Sequence, residues 1–190
     1  MKPEPAHFVS RNDHQRGASL IIVMMILIIV SLLGVGGAQI ALMSERGARN
    51  DRDMQVAWQA AEAALRDAEF DMTTSGRKGT FDGKSIISFV PSCNTTGTTE
   101  GLYDFRACSK PAWLTLNFDT TAATVFGAKT GRTFASGGVG IQPAQPPLYM
   151  IELVNDPLDK SQVVYRVTAM GFGPRTDIQA VVQEIYRTGG

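Results

Sequence analysis

Residues 18–38 form a 21-residue apolar block, and Arg16-Gly17 abut it with no spacer. At ~1.5 Å rise per residue such a block covers ~30 Å, the hydrocarbon thickness of a bilayer. Its only polar side chains are Ser19 and Ser31, and a helix hides a serine hydroxyl by bonding it back to its own backbone. Gly34, Gly36 and Gly37 cluster near the end and weaken the helix by up to ~1 kcal/mol each relative to alanine. The block is too long for the ~7–15-residue apolar region of a secretory signal peptide, and Ala38-Gln39 is a poor small-x-small cleavage site. The junction therefore reads as an anchor with a cut site on its leader side.

The leader, residues 1–17, is polar and carries His7 and His14, which have no cysteine partner and read as solvated. Formal net charge over 190 residues is zero, so bulk electrostatics give no case for nucleic-acid binding. About 150 residues remain after the block, enough for one modest domain. Flanking charge does not orient the anchor, because Lys2, Arg11 and Arg16 precede it and Arg46, Arg49 and Arg52 follow it. Cys93 and Cys108 are the only cysteines. A metal site there would lack a histidine or third cysteine nearby, so a disulfide is favoured, worth roughly 3 kcal/mol in the chain-entropy model. Disulfides persist in oxidising compartments, which sets the C-terminal domain in the periplasm or outside the cell.

Residues 39–72 contain no proline and are rich in strong helix formers. Met54, Trp58, Ala61, Leu65, Ala68 and Met72 recur at helical spacing and predict one apolar stripe. Arg52, Asp53, Gln59, Glu62, Arg66, Asp67 and Glu69 form the expected polar face, with Glu62 and Arg66 an i,i+4 pair. The stripe is too short for a coiled coil, so packing on a sheet is its expected use. Joined to the apolar block, it makes one helical rod of ~54 residues, or ~80 Å. The 73–76 stretch, Thr-Thr-Ser-Gly, ends it.

Beyond the helix, residues 86–90 predict a strand stopped by Pro91. Residues 91–147 are loop-rich, and connections of that length are usually functional or disordered. Residues 148–154, 162–170 and 177–187 predict an antiparallel meander. The expected fold class is α+β: a long N-terminal helix, half membrane-embedded and half amphipathic, packed on a C-terminal antiparallel sheet.

Two further runs carry a family: residues 45–66, ending Ala-Trp-Gln-Ala-Ala-Glu-Ala-Ala-Leu-Arg, and residues 165–173, Tyr-Arg-Val-Thr-Ala-Met-Gly-Phe-Gly. With Gln15-Arg16-Gly17-Ala18-Ser19-Leu20 they make the chain resemble type IV pilins, and more closely the PilX-type minor pilins. The likeness covers roughly 15–72 and 148–187; residues 73–147 match nothing placeable. It implies cleavage by a prepilin peptidase between Gly17 and Ala18, N-methylation of Ala18, and a leader held on the cytoplasmic side. It implies residence in a bacterial inner membrane and then in a pilus. The implied partners are other minor pilins, the major pilin, the inner-membrane assembly platform and a tip adhesin.

The chain departs from the common pilin pattern at two positions. The first mature residue, usually aromatic, is Ala18, and the fifth, usually Glu, is Ile22. In most pilins that carboxylate pairs with the N-terminal ammonium of a neighbour, and an unpaired charge in lipid is costly. Ile22 implies a subunit that primes assembly and sits at the tip; the plainer reading is a better membrane anchor. A tip-capping type II secretion pseudopilin shares the missing acid but usually carries a helical insertion for which there is no room. An uncleaved, membrane-anchored binding module is the third reading.

Catalytic chemistry and cofactors are not expected. No P-loop or GxGxxG is present, and the glycines at 137, 138 and 140 precede no helix signal. Both histidines lie in the leader, which leaves a mature chain without the usual general base. Asn155, Asp156 and Asp159 have side chains that suit calcium, though a turn explains them more simply. Glu100 and Asp119 read as solvated, Trp58 and Trp113 as core or interface aromatics. Tyr103, Phe105 and Trp113 are expected to pack over the disulfide loop.

Overall fold

The computed structural model describes residues 18–93, 97–98, 100–106, 108–138, 140–156, 158 and 162–187. The chain divides into two compact units, residues 1–48 and 49–190. Helix α1 (Ala18–Thr73, 56 residues) belongs to both.

In the first unit α1 is helical through Gly34, Gly36 and Gly37, around which an added Cβ would meet nothing within 4 Å. Ser31 Oγ donates to the Leu27 carbonyl at 2.7 Å, which satisfies the hydroxyl inside the apolar run. Apolar side chains are open all round the helix, from Leu20 at 67% to Leu33 at 71% exposed. A helix apolar on every side needs an apolar surrounding, and α1 is long and apolar enough to cross a bilayer.

The second unit packs the end of α1 on a six-stranded mixed sheet. Its strands are β1 (Val90–Pro91), β2 (Leu102–Asp104), β3 (Thr124–Val125), β4 (Leu148–Asn155), β5 (Val163–Phe172) and β6 (Gln179–Tyr186), with a one-turn helix α2 (Ala112–Thr115) before β3. The order is β1-β2-β4-β5-β6, and β3 also pairs with β4. The predicted meander is β4-β5-β6, antiparallel throughout, in registers such as Ile151↔Val167 and Ala169↔Val182. The sheet then continues past β4 in parallel through β2 and β1. One edge of β4 serves two strands in turn, Leu148 and Tyr149 pairing with β3 and Ile151 to Leu153 with β2. Gly101 sits where they meet, at φ +60, and a Cβ there would lie 2.7 Å from Thr124 Oγ1. Only glycine takes that backbone and that space at low cost.

Both faces of the sheet are covered. On one side Ala64, Ala68 and Met72 of α1 pack on Tyr149, Ile151, Leu153, Tyr165, Val167 and Ala169. On the other, Ala112, Ala122, Ala123, Trp113 and Phe118 pack on Leu148, Met150, Met170 and Phe172. This double burial explains why β4 reads as a nearly continuous apolar run.

Two local expectations are corrected. Residues 86–89 are not a strand. Asp82 Oδ1 accepts from the Lys84 and Ser85 amides at 2.8 and 2.6 Å, and Phe89 N bonds Ile86 O in a turn. Ile87 is 94% exposed, while Phe81 and Phe89 turn inward onto Tyr165, with ring centroids 5.4 and 6.1 Å away. Pairing two aromatics with Tyr165 outweighs the β propensity of Ile86 and Ile87. Pro91 does not stop a strand but lies in β1, an edge, where the missing N–H is harmless.

The second correction concerns the face of α1. Ala57, Ala60, Ala61, Ala64, Ala68 and Met72 are buried, together with Asp67 and Asp71, whereas Met54 and Trp58 are 42% and 50% exposed. The stripe is rotated from the large residues onto the alanines because the sheet approaches too closely for larger side chains. At Gly171 a Cβ would fall 2.2 Å from Ala57 O and 2.2 Å from Ala61 N, so strand and helix meet backbone to backbone. The Glu62–Arg66 pair is not formed: Glu62 accepts from Trp58 Nε1 at 2.7 Å, and Arg66 pairs with Glu69 at 2.9 Å. Gly171→Val is expected to destabilise the head by about 1–3 kcal/mol or more, measured by urea unfolding followed through tryptophan fluorescence.

Candidate functional site

Of the residues singled out from sequence, Gly17, His7, His14 and Asp159 lie outside the described residues. Ala18 opens α1. Ile22, one turn in, is 56% exposed, among other open apolar side chains. Cys93 and Cys108 are joined, with Cα atoms 5.4 Å apart. The bridge fastens the chain just after β1 to the segment that follows β2.

Around that bridge the aromatics divide. Tyr103 is buried and donates to the Ala122 carbonyl at 2.7 Å. Phe105 instead takes the Arg166 guanidinium over its ring, 4.9 Å from the centroid. Trp113 is half-buried against the Tyr103 cluster. Asp156 is buried and pairs with Arg187 at 2.7 Å, while its Oδ1 accepts from Leu158 N at 2.9 Å. Its oxygens serve a turn and a cation, as the turn reading of this stretch expects. Among the described residues no three His, Cys, Asp or Glu side chains are grouped to hold a metal.

The polar centre of the head includes Asp67, which the sequence placed on the polar face of α1, and Asp71, which it did not single out. Asp67 and Asp71 are fully buried on the alanine face of α1. Asp71 accepts from Arg77 Nε at 2.9 Å to each oxygen, from Tyr149 OH at 2.8 Å and from Ser75 Oγ at 2.7 Å. Arg77 reaches on to the Glu100 carbonyl at 2.8 Å. Asp67 accepts from Gly127 N at 2.7 Å and Thr130 Oγ1 at 2.6 Å, with Arg132 at 3.4 Å. Arg132 also lies over the rings of Phe126 and Phe70, at 5.1 and 5.8 Å. Burial lowers the Arg77 pKa, but the bonds to Asp71 more than offset this and leave it raised. Burial and then the Asp71 charge push the Tyr149 phenol up, so it stays a donor.

A further buried carboxylate holds the opposite layer. Glu152 accepts from Ala112 N at 2.7 Å and from Arg166 Nη2 at 2.9 Å. Burial pushes its pKa up, against the pull of the Ala112 amide and Arg166. Glu100, read as solvated, is half exposed yet pairs with Lys129 at 2.7 Å. Asp119 caps a turn through the Thr121 amide at 2.8 Å and lines a cleft of about 410 Å³ floored by Leu148, Met170 and Phe172. The one sequence signal for the buried acids was their spacing: Asp67 and Asp71 continue the rows Ala57-Ala60-Ala64 and Ala64-Ala68 at helical intervals.

A long helix, apolar over a bilayer length, that runs into an α+β head is a pilin-like arrangement. Two family models match the chain: PilX N-terminal over residues 16–66, and Type IV pilus assembly protein PilX C-term over residues 44–188. The chain belongs to the PilX family of type IV pilus proteins, a structural pilin family, with the role of a minor pilin. The second match runs through residues 73–147, the stretch that sequence likeness alone left unplaced. No curated protein matches the chain, and no solved structure does. The family ties the chain to type IV pilus components and, with its apolar helix, to a membrane and a pilus.

Asp71→Ala removes the buried partner of Arg77, leaving it only Glu100, and is expected to cost about 3–5 kcal/mol, against roughly 1.5–3 kcal/mol for Tyr149→Phe, whose hydroxyl bonds a charged carboxylate; denaturant midpoints of the two variants check the order. Replacing both cysteines by serine is expected to cost roughly 3 kcal/mol, read the same way under non-reducing conditions.

Proposed function

We propose that this chain primes type IV pilus assembly and occupies the tip complex. The observation that carries the reading is Ile22, where most pilins place the glutamate that meets a neighbour's N-terminal ammonium. A subunit with no earlier subunit above it has no amine to neutralise, so an apolar residue there carries no penalty. In lipid an unpaired carboxylate would cost about 2.5 kcal/mol or more. Before assembly the apolar half of α1 holds the subunit in the inner membrane with its head in the periplasm. On assembly that half moves into the filament core. Partners on this reading are the other minor pilins, the major pilin, the assembly platform and a tip adhesin.

Processing precedes all of this. Prepilin peptidase cuts between Gly17 and Ala18, and the new amine of Ala18 is methylated. A small residue before the scissile bond lets the backbone enter the protease site, and on this reading the leader lies on the cytoplasmic side. Intact mass of the protein from native membranes is expected to match residues 18–190, with or without one methyl. A chain that retains residues 1–17 would make it an uncleaved anchored module. Ile22→Glu is expected to spread the subunit along the pilus shaft, seen by immunogold labelling. Wild-type subunit without enrichment at tips would sink the tip assignment.

A further inference from the structure

We propose that β6 is a docking edge for the β6 of a second copy of this chain, the two strands pairing antiparallel about a two-fold axis at Gln183. The two edges of the sheet are built differently. At one, β1 is two residues long, includes Pro91 and is followed at once by the Cys93–Cys108 bridge. At the other, β6 is eight residues long and paired only with β5. Among the described residues no backbone hydrogen bond reaches its outer side. Proteins normally blunt such an edge with charge, proline or a bulge, because it templates pairing with another chain. On the face away from α1 the covering layer stops at β5, and Val181 and Ile185 stand 47% and 61% exposed.

The sequence of β6 identifies the occupant, because the strand complements itself in one register. With Gln183 opposite Gln183, Val181 falls opposite Ile185 twice, on the exposed face. On the helix face Ala180 falls opposite Tyr186 twice, and Glu184 faces Val182 rather than another charge. Cross-strand pairs of this kind are the unit of sheet stabilisation. A slip of one residue sets the two faces against each other, Val181 opposite Glu184. The next register in one direction centres on Val182 and wastes Val181 on Gln183. In the other it centres on Glu184 and opposes two carboxylates. An eight-residue edge buries less than the ~800 Å² per partner of a stable interface, so the pair is transient and is best captured covalently.

Single-cysteine variants of the full chain in detergent micelles, under mild oxidation, test the register. The native cysteines are already bonded to each other and do not compete. Gln183 is on the exposed face, where its Nε2 donates to Thr168 Oγ1 at 2.8 Å. Gln183→Cys is expected to give a disulfide dimer at least tenfold faster than Val181→Cys, whose two copies would sit ~13 Å apart. A mixture of Val181→Cys and Ile185→Cys chains is expected to cross-link to each other. Adding Ile185→Lys to Gln183→Cys is expected to remove the dimer. Equal rates for Gln183→Cys and Val181→Cys would overturn the proposal. So would capture, in native membranes, of a different pilus protein in place of a second copy. The readout needs no filament, so it stands or falls apart from the tip assignment.

Discussion

Two buried aspartates hold the head together. Fixing Asp67 and Asp71 on the alanine face of α1 puts two carboxylates where water cannot reach them. Such groups are tolerable only when paired and fully hydrogen-bonded. The chain supplies the partners from far along its length: Arg77 at the helix end, Gly127, Thr130 and Arg132 from the segment after β3, and Tyr149 from β4. The irregular stretch between helix and meander is thus held by obligation rather than by regular secondary structure. Glu152 repeats the device on the other side of the sheet, where it fastens the start of α2 to β4 and β5.

The alanine face makes those aspartates possible. Small side chains bring the helix onto the sheet until Gly171 touches the helix backbone at Ala57 and Ala61, where a long side chain has no room; farther along the same face the short acids Asp67 and Asp71 fit. Trp58, Met54 and Phe70 are turned outward as a result. With Met54, Trp58 and Phe70 turned outward, the helix has apolar surface to offer to neighbours.

The regular parts of this architecture were legible in the sequence because they rest on local periodicity. The apolar block, the long helix and the three meander strands follow from runs of one residue class, and the family likeness from short stretches within them. What stayed hidden depends on contacts distant in the chain. Asp67 looked like a surface acid because nothing local announces Thr130 and Gly127. Ile86 and Ile87 looked like a strand because nothing local announces Tyr165 as the partner of Phe81 and Phe89. Met54 and Trp58 claimed the buried face by size, when the close approach at Gly171 had already given it to alanine. In each case hydrophobic size was a poor guide to burial, since separation between elements decided which side chains could enter.

The span of the aspartate bonds also sets an order of events during synthesis. Asp71 must wait 78 residues for Tyr149, and Asp67 must wait 60 for Gly127. As the chain emerges, α1 is complete long before either acid has its full set of partners. Asp67 therefore lacks its partners until residues 127–132 arrive, and Asp71 lacks its last one until β4 does. A chain cut short before residue 149 would carry the apolar helix and an open, charged groove in place of a packed core. Completion of the head thus reports that translation has reached the meander.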